Sequence, residues 1–265
     1  MRSFKKNLLS SLAIGSAALI ALTACGGGSG SEQTTDETAA AGFTPREAGK
    51  LTMCSDIPYE PFEFNRDGEV VGLDVDIAKE IASDLDLELT IIASSFDSIE
   101  SGLFSTQCDV ALSSISITEP RKANMDFSNP YLDDDLMLIA AKGSGITDLE
   151  SAKGKKVGVQ QATTGEKYAR EQGLETTGYE DSGLQLQALD TNQIDAALGN
   201  QSVLRYAIAG NDNFEIVEEI STGEQLGVAV PKDSTELLES INSTLDRLTN
   251  SGELEGMIDQ WLGQK

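Results

Sequence analysis

The chain has 265 residues, 39% of them hydrophobic, enough to bury one large core or two modest ones. Acidic residues outnumber basic ones 44 to 19, and the net charge of −25 excludes nucleic acid and disfavours anionic lipid surfaces as partners. The absence of any histidine removes the commonest general base and the commonest zinc ligand at once, so neither a metal centre nor a cofactor is expected.

In chain order, Arg2, Lys5 and Lys6 precede an apolar run from Leu8 to Leu22 that is too short for a stable membrane span and is flanked like an export signal. Leu22-Thr23-Ala24-Cys25 closes the run and looks like the bacterial lipoprotein signal, in which the cysteine is acylated. The expectation is a signal peptide over 1–24, lipid on Cys25, and an exported protein held at the outer face of the cell membrane by that lipid alone. Cleavage removes three cations and no anion, taking the net charge from −25 to −28. Residues 25–48, rich in Gly, Ser, Thr and acids, form a flexible tether. With Cys25 spent on lipid, Cys54 and Cys108 remain in a compartment that permits a disulfide. On parallel neighbouring strands in simple register their Cα atoms can exceed the bridging limit of about 7 Å, so a disulfide and two free thiols both stay open.

The fold begins near Lys50. Leu51 to Cys54 is a strand ending in Ser55-Asp56, and Pro58 and Pro61 force a loop that carries Tyr59, Phe62 and Phe64. Leu73, Ile77, Ala78, Ile81 and Leu85 recur at helical spacing; Leu87 to Ile92 reads as a strand with Phe96 beyond its end; Asp97, with Glu100 three residues on, caps a short helix; Asp109 to Ile115 is a third strand. Strand and helix in alternation make a parallel sheet with right-handed crossovers, and such sheets bind ligands beyond the carboxyl ends of their strands. Asp56, Tyr59, Phe96 and the stretch Ser113 to Arg121 therefore converge on one crevice. Taken alone, Ser113-Ser114-Ile115-Ser116-Ile117-Thr118-Glu119-Pro120-Arg121 fits either a plain helix start or an anion clamp of hydroxyls and a guanidinium fork. Convergence with the other strand ends favours the clamp.

Asp126 to Tyr131 breaks the pattern, Asp133 to Ala141 runs extended, and a second alternating unit follows. It contains a strand over Lys156 to Gln160, a Thr163-x-x-Glu166 capping box whose helix N-terminus is a second candidate anion site, a strand over Ile194 to Leu198 ending at Gly199-Asn200, and a helix over Ser202 to Ala209. A short strand at Phe214 to Val217, a return strand over Gln225 to Val230, and helices built on Leu237 to Leu248 and on Leu254 to Trp261 complete the chain.

Several of these segments carry a resemblance. Ser55-Asp56, Tyr59-Glu60-Pro61-Phe62-Glu63-Phe64, Gly72-Leu73-Asp74-Val75-Asp76, Phe96-Asp97-Ser98-Ile99, Ser113 to Arg121, Asp126-Phe127-Ser128, Thr163-Thr164-Gly165-Glu166 and Gly227-Val228-Ala229-Val230 resemble the ABC-transporter solute-binding proteins for polar amino acids. That is the bacterial extracellular solute-binding protein family 3, here in lipoprotein form. The resemblance implies an α/β, two-lobed periplasmic-binding (type II) fold, each lobe a mainly parallel sheet flanked by helices, with a two-strand hinge. Lobe 1 would take residues 49–134 and 227–265, and lobe 2 residues 135–226. The implied function is the substrate-binding component of an importer, a monomer closing on a small polar amino acid and presenting it to ABC permease subunits. A ligand-sensing receptor domain and a dehydratase-like enzyme are the alternatives; catalytic residues are not expected.

Position by position, the resemblance implies that Arg121 grips the ligand α-carboxylate, with Ser114, Ser116, Thr163 and Thr164 adding contacts, and that Ser113 faces the ammonium. Tyr59 and Phe96 would sandwich the aliphatic part, and Asp56 would meet a donor on the ligand side chain, which favours a basic or amide one, or on its amine, where Asp56 would supply the charge that Asn200 lacks. Two positions depart from the family pattern. Asn200 stands where relatives usually carry an Asp that pairs with the α-ammonium, so Asn200→Asp is expected to strengthen binding if the ammonium lies there. Gln160 stands where some relatives carry a cation.

Overall fold

Two five-stranded sheets carry the chain in a computed structural model that describes residues 43–263. The signal peptide, Cys25 and the tether as far as residue 42 lie outside the described residues. Packing starts before Lys50: Phe43 lies against the main core, and Arg46 donates from its backbone to Asp109 Oδ1 at 2.9 Å and from its guanidinium to the Cys108 and Ser105 carbonyls.

The first sheet collects β1 (Lys50–Ser55), β4 (Glu88–Ala93), β5 (Val110–Ala111), β6 (Met125–Phe127) and β14 (Ala229–Pro231), in the order β4-β1-β5-β14-β6. β1 is parallel to both its neighbours, and only β14 runs antiparallel to the strands beside it. A central parallel strand is covered on both faces, which is why Leu51-Thr52-Met53-Cys54-Ser55 is buried throughout instead of alternating. One face packs on α1 (Leu73–Asp84), α7 (Thr235–Ser251) and α8 (Glu253–Leu262) through Met53, Leu73, Ile77, Ile241, Leu245 and Trp261. The other face packs on α2 (Phe96–Glu100), a 3-10 turn at Leu103–Thr106 and the segment before α3 (Glu119–Lys122), through Phe96, Ile99, Phe104 and Ile115.

The second sheet orders β10 (Glu175–Tyr179), β9 (Lys156–Gln160), β11 (Ala196–Asn200), β8 (Leu136–Ala141) and β12 (Phe214–Ile220), with α4 (Thr164–Glu171), α5 (Ser182–Asp190) and α6 (Gln201–Ile208) against it. β9, β10 and β11 are mutually parallel, while β8 is antiparallel to β11 and β12. Two short strands, β7 (Leu132–Asp133) and β13 (Gln225–Leu226), pair antiparallel where the chain passes from one sheet to the other and back.

Four local differences from the sequence reading have physical causes. Phe64 to Val71 is a hairpin, β2 (Phe64–Arg66) with β3 (Glu69–Val71), turned by Asp67 and Gly68 at φ 55 and 90; positive φ at both positions is the signature of an Asp-Gly turn. Ser95, not Asp97, caps the short helix, its hydroxyl accepting from Ser98 N at 3.4 Å. The return segment is two strands, because the chain changes partners at Gly227-Val228: Gly227 N donates to Ile115 O at 3.1 Å and Val228 N to Ser128 Oγ at 2.9 Å. Strand β10 and helix α5 have no counterpart in the sequence reading. Glu175-Thr176-Thr177-Gly178-Tyr179 has no buried face that alternates, and α5 announces itself only through Asp181, whose carboxylate accepts from Leu184 N at 2.8 Å.

Cys54 and Cys108 form a disulfide with Cα atoms 5.6 Å apart. In the ladder Cys54 faces Ala111, so a straight strand would carry Cys108 out of reach. The chain instead arrives from the 3-10 turn, with Cys108 N donating to Phe104 O at 2.9 Å, and steps over the face that Cys54 occupies.

Candidate functional site

Gly72 sets the first wall of the crevice. At φ 139 it lets the Tyr59–Phe64 loop press onto the start of α1, where Leu73 N and Asp74 N donate to the Pro61 and Phe62 carbonyls, each at 3.1 Å. A Cβ at Gly72 would lie 2.0 Å from Phe62 O, so only glycine fits. The loop so held projects Tyr59 from the carboxyl end of β1 toward the carboxyl end of β11, where its hydroxyl donates to Asn200 Oδ1 at 2.9 Å.

The clamp segment is shaped by buried acids. Ser114 sits at φ 47, with its N–H donating to Asp74 Oδ2 at 2.7 Å, while Tyr131 Oη donates to the other oxygen of Asp74 at 2.8 Å. Ser113 Oγ donates to Glu63 Oε1 and accepts from Asp56 N, the latter at 3.0 Å. Burial drives the Glu63 carboxyl well above its ordinary range, with Asp74 beside it adding to the effect, and burial lifts Asp74 to about 7. At least one proton is therefore held between these two acids near neutral pH. The hydroxyl of Ser114 and one oxygen of Glu63 are buried with no hydrogen-bond partner.

Arg121 lies in the first turn of α3, entered through the Thr118 cap and Pro120. The side chain is 3% exposed, its guanidinium carbon 5.0 Å from the Phe96 ring centroid. Nη1 donates to Ser116 O at 3.0 Å and Nη2 crosses to Ala162 O at 3.2 Å. Among the described residues it forms no ion pair with a carboxylate. Burial holds its pKa below the ordinary value, with Glu100 and Glu224 pulling the other way. A fork held between two carbonyls and a ring is preorganised for a planar anion.

From the second sheet, Thr163 and Glu166 form the capping box read from sequence: Thr163 Oγ1 accepts from Glu166 N at 3.1 Å, and Glu166 Oε2 accepts from Ala162 N at 2.8 Å. Thr163 Oγ1 also donates to Gln160 O, so that hydroxyl is committed to the cap. Thr164 Oγ1 donates to Glu224 Oε2 at 2.7 Å. Beside Arg121 and this helix start the crevice opens into a cleft of about 380 Å³. At its other end, a cleft of about 220 Å³ is lined by Asp56, Ser94, Ser95, Glu180 and Asp181.

The structure thus brings Asp56, Tyr59, Phe96, Ser113, Ser114, Ser116, Arg121, Thr163, Thr164 and Asn200 to the facing ends of the two sheets. Gln160, noted from sequence only as a departure from the family pattern, and Asp134, which the sequence reading missed, join them. Gln160 Nε2 donates to Asp56 Oδ2 at 2.5 Å, leaving Gln160 Oε1 buried without a partner. Asp134 is 3% exposed and accepts from Asn200 Nδ2 at 3.1 Å, and from Ser202 N and Oγ at 3.0 and 2.8 Å. Burial raises Asp134 to about 6 and Asp56 to about 7, the latter helped by Asp181 and Glu180 and opposed by Gln160. Burial also drives Tyr59 well above its ordinary value, reinforced by Asp134, Glu63, Asp56 and Glu224. One buried guanidinium therefore shares the crevice with a ring of carboxyl groups. The signal for Asp134 was present in the run Asp133-Asp134-Asp135, where three acids interrupt an otherwise apolar segment.

Comparison with known proteins agrees with this architecture. The profile described as bacterial extracellular solute-binding proteins, family 3, matches residues 51–264. The L-cystine-binding protein TcyJ of Escherichia coli (strain K12) is 30% identical over 224 residues, 82% of this chain and 84% of that protein. The arginine-binding extracellular protein ArtP of Bacillus subtilis (strain 168) is 31% identical over 269 residues, 98% of this chain and all of its own length. The solved structure of an ancestral arginine-binding protein bound to arginine superposes with a TM-score of 0.75 at 32% identity, covering 80% of this chain and 98% of that one. The fold is the two-lobed α/β binding-protein architecture. With its family profile spanning nearly all the described residues, and the crevice built between its two sheets, this chain belongs to the bacterial extracellular solute-binding proteins of family 3.

Proposed function

We propose that this protein is the lipid-anchored receptor of an ABC importer for a basic amino acid, arginine foremost, and that it works by binding, without chemistry. The carrying observation is the charge pattern of the crevice: the unpaired guanidinium of Arg121 at one end and the buried carboxyl of Asp56, with the partnerless carbonyl of Gln160, at the other. Arg121 takes the ligand α-carboxylate, joined by the backbone N–H of Thr164, whose hydroxyl is taken by Glu224, and by the Ser114 hydroxyl. Tyr59 and Phe96 flank the aliphatic stem. Asp56 and Gln160 Oε1 accept from the cationic side chain, whose charge offsets the cost of burying an ionised Asp56.

Residues 49–134 with 227–265 form one lobe and 135–226 the other, hinged on β7 and β13. Ligand contacts made from both lobes favour the closed form, which is the form a permease would recognise. The arginine named for ArtP and for the ancestral protein supports the ligand class. The charge pattern opposes an acidic side chain, which would face Asp56.

A thermal-shift screen of the common amino acids tests the ligand. L-arginine at a thousandfold excess over its Kd is expected to stabilise the protein by roughly 4 kcal/mol, L-lysine by less, and L-glutamate not at all. A melting temperature moved by glutamate and indifferent to arginine and lysine overturns the assignment. The anchor is tested separately: Cys25→Ser is expected to move the protein from the membrane to the soluble fraction, and continued retention would refute lipidation.

A further inference from the structure

Asn200 closes β11 with an amide, and the orientation of that amide is fixed by its neighbours. Asp134 can only accept, so Nδ2 must face it, at 3.1 Å; Tyr59 Oη donates to the opposite atom, Oδ1, at 2.9 Å. The carbonyl oxygen of Asn200 keeps a second lone pair on the crevice side. Behind it, Asp134 is 3% exposed, and among the described residues it forms no ion pair with a cation. Its partners are the Asn200 amide and the first-turn donors of α6, and the carboxylate of Glu224 acts on it with the same sign of charge. A buried carboxylate with no cation, one amide away from the crevice, is stabilised by a positive charge placed there.

We propose that Asp134 is the specificity-determining acid for the ligand α-ammonium, acting through Asn200. The carboxylate polarises the Nδ2–H, and the amide presents a strengthened acceptor at Oδ1 to the ammonium, with Tyr59 completing the cradle. The acid that would pair directly with the ammonium has been moved one residue back, and an amide stands in front of it. The inference rests on the amino-acid reading of the crevice.

One consequence revises the expectation drawn from sequence alone. Asn200→Asp would set a second carboxylate where Nδ2 now lies, 3.1 Å from Asp134 Oδ2. Two carboxylates that close share one proton, so the change adds no net negative charge and no affinity.

The test measures Kd by calorimetry at pH 7.5 for L-arginine and for the same molecule lacking its α-amine, in the wild type, D134N, N200D and the exchanged pair D134N/N200D. D134N is expected to weaken L-arginine about tenfold or more and to leave the des-amino analogue nearly unchanged. N200D alone gains nothing, and the exchanged pair recovers most of the wild-type affinity. Asp134 also caps α6, and a purely structural role would lower both affinities together; equal losses, or no loss of arginine, overturn the inference. Should D134N not fold, N200D still decides, because a tenfold gain there contradicts an acid already in place. A wild type that binds neither L-arginine nor L-lysine overturns the ligand reading and this inference with it, whereas normal wild-type binding with unaltered discrimination in D134N overturns this inference alone.

Discussion

Arg121→Ala is expected to weaken binding of every α-amino acid by roughly two to four decades, the largest single loss available in the crevice. Removing one partner of a buried, hydrogen-bonded charge pair costs about 3–5 kcal/mol, because the ligand carboxylate is left desolvated and unpaired. The acids that act on Arg121, Glu100 and Glu224, make the loss worse, since they would then face the anionic end without a counterweight. Arg121→Lys separates charge from geometry: it keeps the cation, loses the two-point fork and the flat stack on Phe96, and is expected to fall between wild type and Ala. Stability of the unliganded protein should change much less than affinity, because Arg121 is itself a buried cation with carbonyl partners only. Calorimetry on the three proteins decides it, and near-normal affinity in Arg121→Ala sinks the clamp.

The unliganded protein is expected to be most stable at mildly acidic pH and to lose stability as the pH rises toward neutrality. Asp56 and Asp74 are raised to about 7, Asp134 to about 6, and Glu63 well above its ordinary value, in each case first of all by burial. In the unfolded chain the same groups release their protons near pH 4. Between about pH 4 and pH 7 the folded state therefore holds more protons than the unfolded one, and stability falls with rising pH. For Asp56 alone the cost above pH 7 is on the order of 4 kcal/mol, and the Glu63–Asp74 pair adds to it in the same direction. On the far acid side, the opposite case limits the gain. Although slight burial acts against it, Asp135 is held low by the Gly223 and Thr222 N–H groups, and that contribution is lost as it protonates. Urea unfolding at pH 4.5, 6.0 and 7.5 measures the trend, and a steady rise of stability over this range would falsify it. With saturating L-arginine the optimum is expected to move toward neutral pH, because the ligand cation favours the ionised form of Asp56.

Much of the crevice was legible because local chemistry fixes it. Arg121 follows from Thr118 and Pro120 starting a helix at a strand end, and Asp56, Tyr59 and Phe96 follow from the rule that parallel sheets bind at their carboxyl ends. Asp134 was not legible in that way, and Gln160 was marked only through the resemblance, without its partner. Asp134 meets Asn200 only because β8 and β11 pair antiparallel with Leu136 opposite Asn200, a register that no local pattern encodes. Gln160 meets Asp56 across 104 positions of chain. The disulfide escaped for a similar reason, since a strand-to-strand register argument cannot see the turn that carries Cys108 over the sheet. The Asp67-Gly68 hairpin, by contrast, is readable from its turn residues alone.

Strand β14 lies between β5 and β6, so the first sheet has a gap in its middle until Pro231 has been delivered. The second sheet has no such gap, since its five strands run from Leu136 to Ile220 without interruption. Taken from its amino end, the chain therefore has every strand of the second sheet before it has the inner strand β14 of the first, whereas β1, β4, β5 and both cysteines of the Cys54–Cys108 bridge come earliest. The sheet that is begun first is thus the last to have all its strands, and the anion clamp belongs to it.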